Sequence, residues 1–136
     1  MPAREPLKPW AQVVDASALG AVLFGEPEAQ EVGRKVGHAV LVAPVLLRFE
    51  LANICWKKIR RHPEKRDALL AALGLAGDLE IYEVEVRYGE VVELARREGL
   101  TAYDASYLWL ARSLDLRLVT LDRALAQAAG DRSAGG

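Results

Sequence analysis

Four acidic side chains stand where they could do chemistry: Asp15, Glu50, Asp104 and Asp122. Asp15 ends the apolar run VVD and Asp122 ends LVTLD, so each closes a short strand-like segment. Asp104 follows Thr101 by three residues, at a helix start. Glu50 lies inside a helical stretch, APVLLRFELANICWKK. Its neighbours one turn away are Leu46, Leu47 and Ile54, with Asn53 the only polar one. Taken singly, the three aspartates read best as caps: Asp15 and Asp122 at helix N-termini, Asp104 in a capping box with Thr101. Glu50 resists so plain a reading, because a buried, unpaired carboxylate is costly and tends to protonate. Either it escapes to solvent, or it pairs with an arginine such as Arg48 or Arg112, or it faces a cation.

The conjunction weighs more than any member. In an open parallel sheet, ligands sit outside the carboxyl ends of the strands. Two strand-end aspartates, one helix-start aspartate and one glutamate on an apolar helix can converge in that crevice. Four carboxylates held together repel, so the cluster calls for a divalent cation, and all-oxygen ligands suit Mg²⁺ or Mn²⁺. Zinc is disfavoured, since Cys55, His38 and His62 form neither CxxC nor HExxH. No G-x-S-x-G elbow, G-x-x-x-x-G-K-[ST] loop or G-x-G-x-x-G after the first strand is present. Asp15 is followed two residues later by Ser17, which excludes the D-x-D of haloacid-dehalogenase-like phosphatases. A receiver domain would need an acidic pair after its first strand and a lysine after its last; neither is found.

These side chains need a frame. Val13 and Val14 make a strand ending at Asp15. Helices are expected over 17–24 and 28–36, and an apolar strand over 39–43. Pro44 suits the first turn of a helix running to about Arg61, which stops before Pro63. That helix is apolar nearly all round until Lys57, so substantial burial is expected. Further helices are expected over 64–75, 87–97 and 101–114, with Gly99 stopping the second of these. Strands are expected over 79–82 and 116–121, and a last helix over 122–129. Short apolar strands alternating with helices imply an α/β fold: three layers, α/β/α, around a short, mostly parallel sheet.

The chain has 136 residues, half of them hydrophobic, which fits one domain over 1–129. The polar, small-residue segment 130–136 is expected to be a disordered tail. No apolar run reaches the ~18–20 residues of a membrane span, and MPAREPLKPWAQ lacks a signal peptide's apolar core. The single cysteine, Cys55, has no internal disulfide partner, and a reducing cytoplasm is expected. A net charge of −1 does not advertise nucleic-acid binding. However, Lys57, Lys58, Arg60, Arg61, Lys65 and Arg66 cluster around His62. Such a run is a solvated helix end or, beside an acidic site, a phosphate-binding strip.

The order VVDASAL, LLRFELANI, LTAYDASYLWLA, LVTLDRAL resembles the four acidic blocks of PIN-domain ribonucleases, and most closely the VapC toxins. The resemblance spans about residues 12–129. It implies that Asp15, Glu50, Asp104 and Asp122 hold one or two Mg²⁺ or Mn²⁺ ions, supported by Ser17, Asn53 and Thr120. Local capping is an equally good reading of Ser17 and Thr120. It further implies endonucleolytic hydrolysis of RNA such as tRNA or ribosomal RNA, a homodimer, and inhibition by a VapB-like antitoxin. Lys57, Lys58, Arg60 and Arg61 are the candidate RNA contacts. Phe24 and Trp56 could line the antitoxin's groove, but core packing is the expected fate of both. One departure stands out: family members commonly end with a further strand, and GDRSAGG after Ala129 cannot form one. Either the sheet has four strands or a partner completes its edge. The competing functions are a PIN-like binding module that does not cleave, its Asp122 misplaced by the short end, and a housekeeping RNA-processing nuclease. Metal-dependent cleavage discriminates the first, and an antitoxin-like reading frame upstream the second.

Overall fold

The structure, a computed structural model, describes residues 10–130. The chain runs β1 (Ala11–Val14), α1 (Ala16–Leu23), α2 (Ala29–Val36), β2 (Val40–Pro44), α3 (Leu46–Arg61) and α4 (Arg66–Leu75). It continues through β3 (Ile81–Val84), α5 (Tyr88–Glu98), α6 (Ala102–Leu114), β4 (Arg117–Val119) and α7 (Arg123–Ala129). All strand pairs are parallel, in the order β3-β2-β1-β4. Every residue of β1 is buried, as a central strand requires when helices cover both faces of its sheet. Helices α1 to α4 pack on one another, as do α5 to α7, and α6 lies against β1, β2 and β4. The expected α/β layering is therefore observed. No helix among the described residues is long and apolar enough to cross a membrane.

Several boundaries differ from expectation. Pro44 ends β2 instead of opening the helix, opposite Val84 of β3. Pairing with β1 has already stopped at Val42, so Pro44 sits where β2 has one neighbour and its missing N–H costs little. β3 lies two residues later than expected, because the N–H of Leu79 still bonds the carbonyl of Ala76 in a 3₁₀ turn. α4 begins after a separate 3₁₀ turn at Pro63–Lys65. α3 is not buried all round: only Leu47, Leu51 and Cys55, spaced four apart, are fully covered. Trp56 is exposed rather than packed in the core, and Phe24 is half-buried beneath Lys58. Gly99 closes α5 in the left-handed conformation (φ 67°), as its position before Leu100 predicts.

Among the described residues the sheet has four strands, with β4 at one edge. α7 ends at Ala129 with Gly130 as its cap, and the segment expected to be a tail lies, from residue 131, outside the described residues.

Candidate active site

The parallel sheet delivers its chain to the site at the ends of β1 and β4. Asp15 leaves β1 and turns at once into α1, where its Oδ1 accepts the N–H of Ala18 at 3.0 Å. The same oxygen accepts the Ser17 hydroxyl at 2.7 Å, and Oδ2 accepts the Thr120 hydroxyl at 2.5 Å. Beyond β4 the backbone is captured by the same hydroxyls. The N–H of Leu121 donates to Ser17 Oγ and that of Asp122 to Thr120 Oγ1, each at 2.9 Å. This is why β4 stops at Val119 and not at the expected Leu121. Asp122 caps α7 through Oδ1, which accepts from Leu125 N at 2.8 Å. Thr101 caps α6 by accepting from Asp104 N at 3.1 Å, and the Asp104 side chain turns to the crevice.

Glu50 pairs with neither expected arginine. Arg48 binds Glu83 and the carbonyl of Ala76, and Arg112 binds Glu98 and the carbonyl of Ala128. Instead the phenol of Tyr107, on α6, donates to Glu50 Oε1 at 2.5 Å. Tyr107 was not among the residues singled out from sequence. Its signal was available, since Asp104 and Tyr107 are three apart and share a helical face.

All four carboxylates line one crevice of about 600 Å³, together with Ser17, Asn53, Lys57 and Tyr107. Leu46, Phe49, Ile54 and Tyr103 supply its apolar walls. Asp122 reaches it too, so it is not misplaced from the group. Thr120 stands behind Asp15. Of the basic run, only Lys57 lines the crevice. Lys58 pairs with Glu26 against the Phe24 ring, Arg60 lies 5.8 Å over the Trp56 ring, and Arg61 is exposed near the helix end.

The electrostatics follow from crowding acids in a half-dry crevice. Burial pushes Asp15 above the usual aspartate value, against hydrogen bonds from Thr120, Ala18 N and Ser17; the charge of Asp104 pushes it further. Burial also raises Glu50, opposed by the Tyr107 hydrogen bond and reinforced by Asp104 and Asp15. Asp104 is raised by burial and then by the charge of Asp122. Burial, followed by the adjacent Glu50, raises the Tyr107 phenol well beyond its ordinary range. Hard oxygen donors that repel one another suit a hard divalent cation by donor type. As they stand, no three His, Cys, Asp or Glu side chains among the described residues form a closed cage for one. Asp15 spends both oxygens and Asp122 one on internal donors, so an ion would have to compete for these.

The model of the PIN domain family matches residues 13–131. The chain belongs to the PIN-domain family. It is 32% identical over 120 residues to Ribonuclease VapC3 of Pyrobaculum aerophilum, covering 85% of this chain and 92% of that relative. It is 35% identical over 120 residues to Exonuclease VapC9 of the same organism, covering 86% and 84%. The crystal structure of PAE2754 from Pyrobaculum aerophilum matches its fold with a TM-score of 0.72 at 30% identity, over 93% of this chain and 84% of that one. Within the PIN-domain family this protein is thus VapC-like, as the four acidic blocks implied.

Proposed function

We propose that this VapC-like PIN protein is a Mg²⁺- or Mn²⁺-dependent endoribonuclease and the toxin of a toxin–antitoxin pair. The observation that supports the reading is the meeting of Asp15, Glu50, Asp104 and Asp122 in one crevice. These four would hold the ion. When bound, it supplies charge stabilisation at the phosphoryl group and acidifies water. Ser17 and Thr120 keep Asp15 turned inward, and Lys57 at the crevice draws the phosphodiester in. A free carboxylate oxygen accepts the proton as water attacks in line with the leaving 3′ oxygen. The products carry a 5′-phosphate and a 3′-hydroxyl.

The substrates proposed are tRNA or ribosomal RNA. The partner is a VapB-like antitoxin whose C-terminal segment crosses the crevice, and the compartment is the cytoplasm. The protein is proposed to act as a homodimer. Supporting this, Phe49, Tyr88, Val92 and Tyr103 are more than half exposed around a second, apolar groove of about 370 Å³ that adjoins the crevice.

The test incubates purified, antitoxin-free protein with total tRNA and with ribosomal RNA plus Mg²⁺ or Mn²⁺, beside an EDTA control and Asp104→Ala. Discrete fragments lost in both controls are expected. One relative is named an exonuclease, so a circular RNA is included: cutting it requires endonucleolytic attack. Cleavage that survives EDTA and Asp104→Ala would sink the proposal.

A further inference from the structure

Among the described residues Glu50, unlike Asp15 and Asp122, accepts no backbone N–H that would orient it. It projects from the second turn of α3 on a long, flexible side chain. Of its neighbours one turn away, Leu46, Leu47 and Ile54 carry no side-chain donor, no hydrogen bond joins the Asn53 amide to it among the described residues, and Arg48 and Arg112 are engaged elsewhere. What it meets comes from a helix 57 residues later in the chain: the hydroxyl of Tyr107, 2.5 Å from Oε1. Tyr107 is among the largest fully buried side chains, 1% exposed, so its ring cannot swing away. Its hydroxyl nonetheless opens on the crevice, on the same face of α6 as Asp104. A phenol has one proton to donate, and here it goes to Oε1, leaving Oε2 of this crevice-lining glutamate without a donor among the described residues.

We infer that Tyr107 is a positioning residue of the acidic site, a fixed donor that sets the direction in which Glu50 presents its free oxygen to a bound cation. The inference rests on the metal-dependent reading above. Outer partners of metal-binding carboxylates act in this way, and their removal typically weakens metal affinity by about 10–100-fold. The opposing view is that Glu50 merely satisfies a buried phenol and ties α6 to α3.

Tyr107→Phe separates the two, because it removes the hydroxyl and keeps the ring. Mn²⁺ affinity is measured by calorimetry, without RNA, for wild type, Tyr107→Phe, Glu50→Gln and the double variant. Metal-free melting is followed in parallel. A positioning role predicts Mn²⁺ binding weakened by at least about tenfold in Tyr107→Phe, and no further weakening when the change is made in Glu50→Gln. Unchanged affinity in Tyr107→Phe overturns the inference while leaving the metal reading intact. So does a drop that persists in the Glu50→Gln background, or a Tyr107→Phe protein that cannot fold. Wild type that binds no Mn²⁺ overturns the metal reading, and the inference with it.

Discussion

Asp15 has three hydrogen-bond donors, yet burial and the charge of Asp104 outweigh them and hold its pKa high. Glu50 and Asp104 are shifted in the same direction. In the unfolded chain these groups return toward 3.8 for the aspartates and 4.5 for the glutamate. The folded, metal-free protein therefore binds more protons than the unfolded chain between those values and the raised ones. The stability these three groups contribute is fullest below the unfolded pKa values and is lost as pH rises through the folded ones. Metal-free protein should thus lose thermal stability as pH rises from the unfolded pKa values through the raised ones. Mg²⁺, which competes with those protons, should restore stability mainly at the higher pH. A metal-free melting temperature that rises steadily with pH over this window would contradict the burial and crowding of these carboxylates. Thr120 offers a sharper probe, since its hydroxyl both donates to Asp15 and accepts from Asp122 N. Thr120→Val strands two polar groups and should cost about 1–3 kcal/mol in urea unfolding without metal. A loss below a few tenths would mean that water replaces the hydroxyl freely.

At the scale of elements, the site is built where regular structure gives out. β4 ends at Val119 because Ser17 and Thr120 take the next N–H groups, a termination that no hydrophobic pattern encodes. The apolar run 116–121 accordingly reads as a longer strand than it is. The aspartates were legible because each stands at a junction of strand or loop with helix, and such junctions are marked by capping chemistry in the sequence. Glu50 was legible as an anomaly, a charge on an apolar helix, and Tyr107 as a residue on the face of Asp104, but the pairing of the two was not. Hydrogen bonds between side chains 57 residues apart have no periodic signature. α3 misled in another way: its apolar residues serve a buried stripe, the wall of the crevice and an exposed face at once. The same helix divides its basic run. Lys57 lines the crevice, whereas Lys58 is spent on Glu26. Lys57→Ala should weaken RNA binding and lower the salt slope of affinity by about 1, the mark of one lost phosphate contact. Lys58→Ala should leave the slope in place. Equal slopes for wild type and Lys57→Ala would remove Lys57 from the RNA path.

For the whole molecule, the question is what covers the apolar groove beside the crevice. Its rim carries Val45, Phe49, Tyr88, Val92 and Tyr103, all half or more exposed. A soluble monomer rarely leaves such a cluster to water without use. The rim is drawn from the start of α3, the start of α5 and the start of α6, so it is a rigid face rather than a loose loop. A second copy meeting this face would shelter the aromatics and bring two acidic crevices near one another, since Leu46, Phe49 and Tyr103 line both hollows. A stable pair needs about 800 Å² buried on each partner, which these side chains can seed but not fill alone. Val92 and Tyr88 lie in the groove and outside the crevice, so they test association without touching the carboxylates. Val92→Glu with Tyr88→Ser should convert a dimer to a folded monomer in sedimentation, because a desolvated charge at the centre of such a contact is expensive. Mn²⁺ affinity per chain should be retained. If the double variant sediments as a dimer, the two copies meet elsewhere. If wild type is a monomer at tens of micromolar, the groove has a different occupant and the homodimer reading fails.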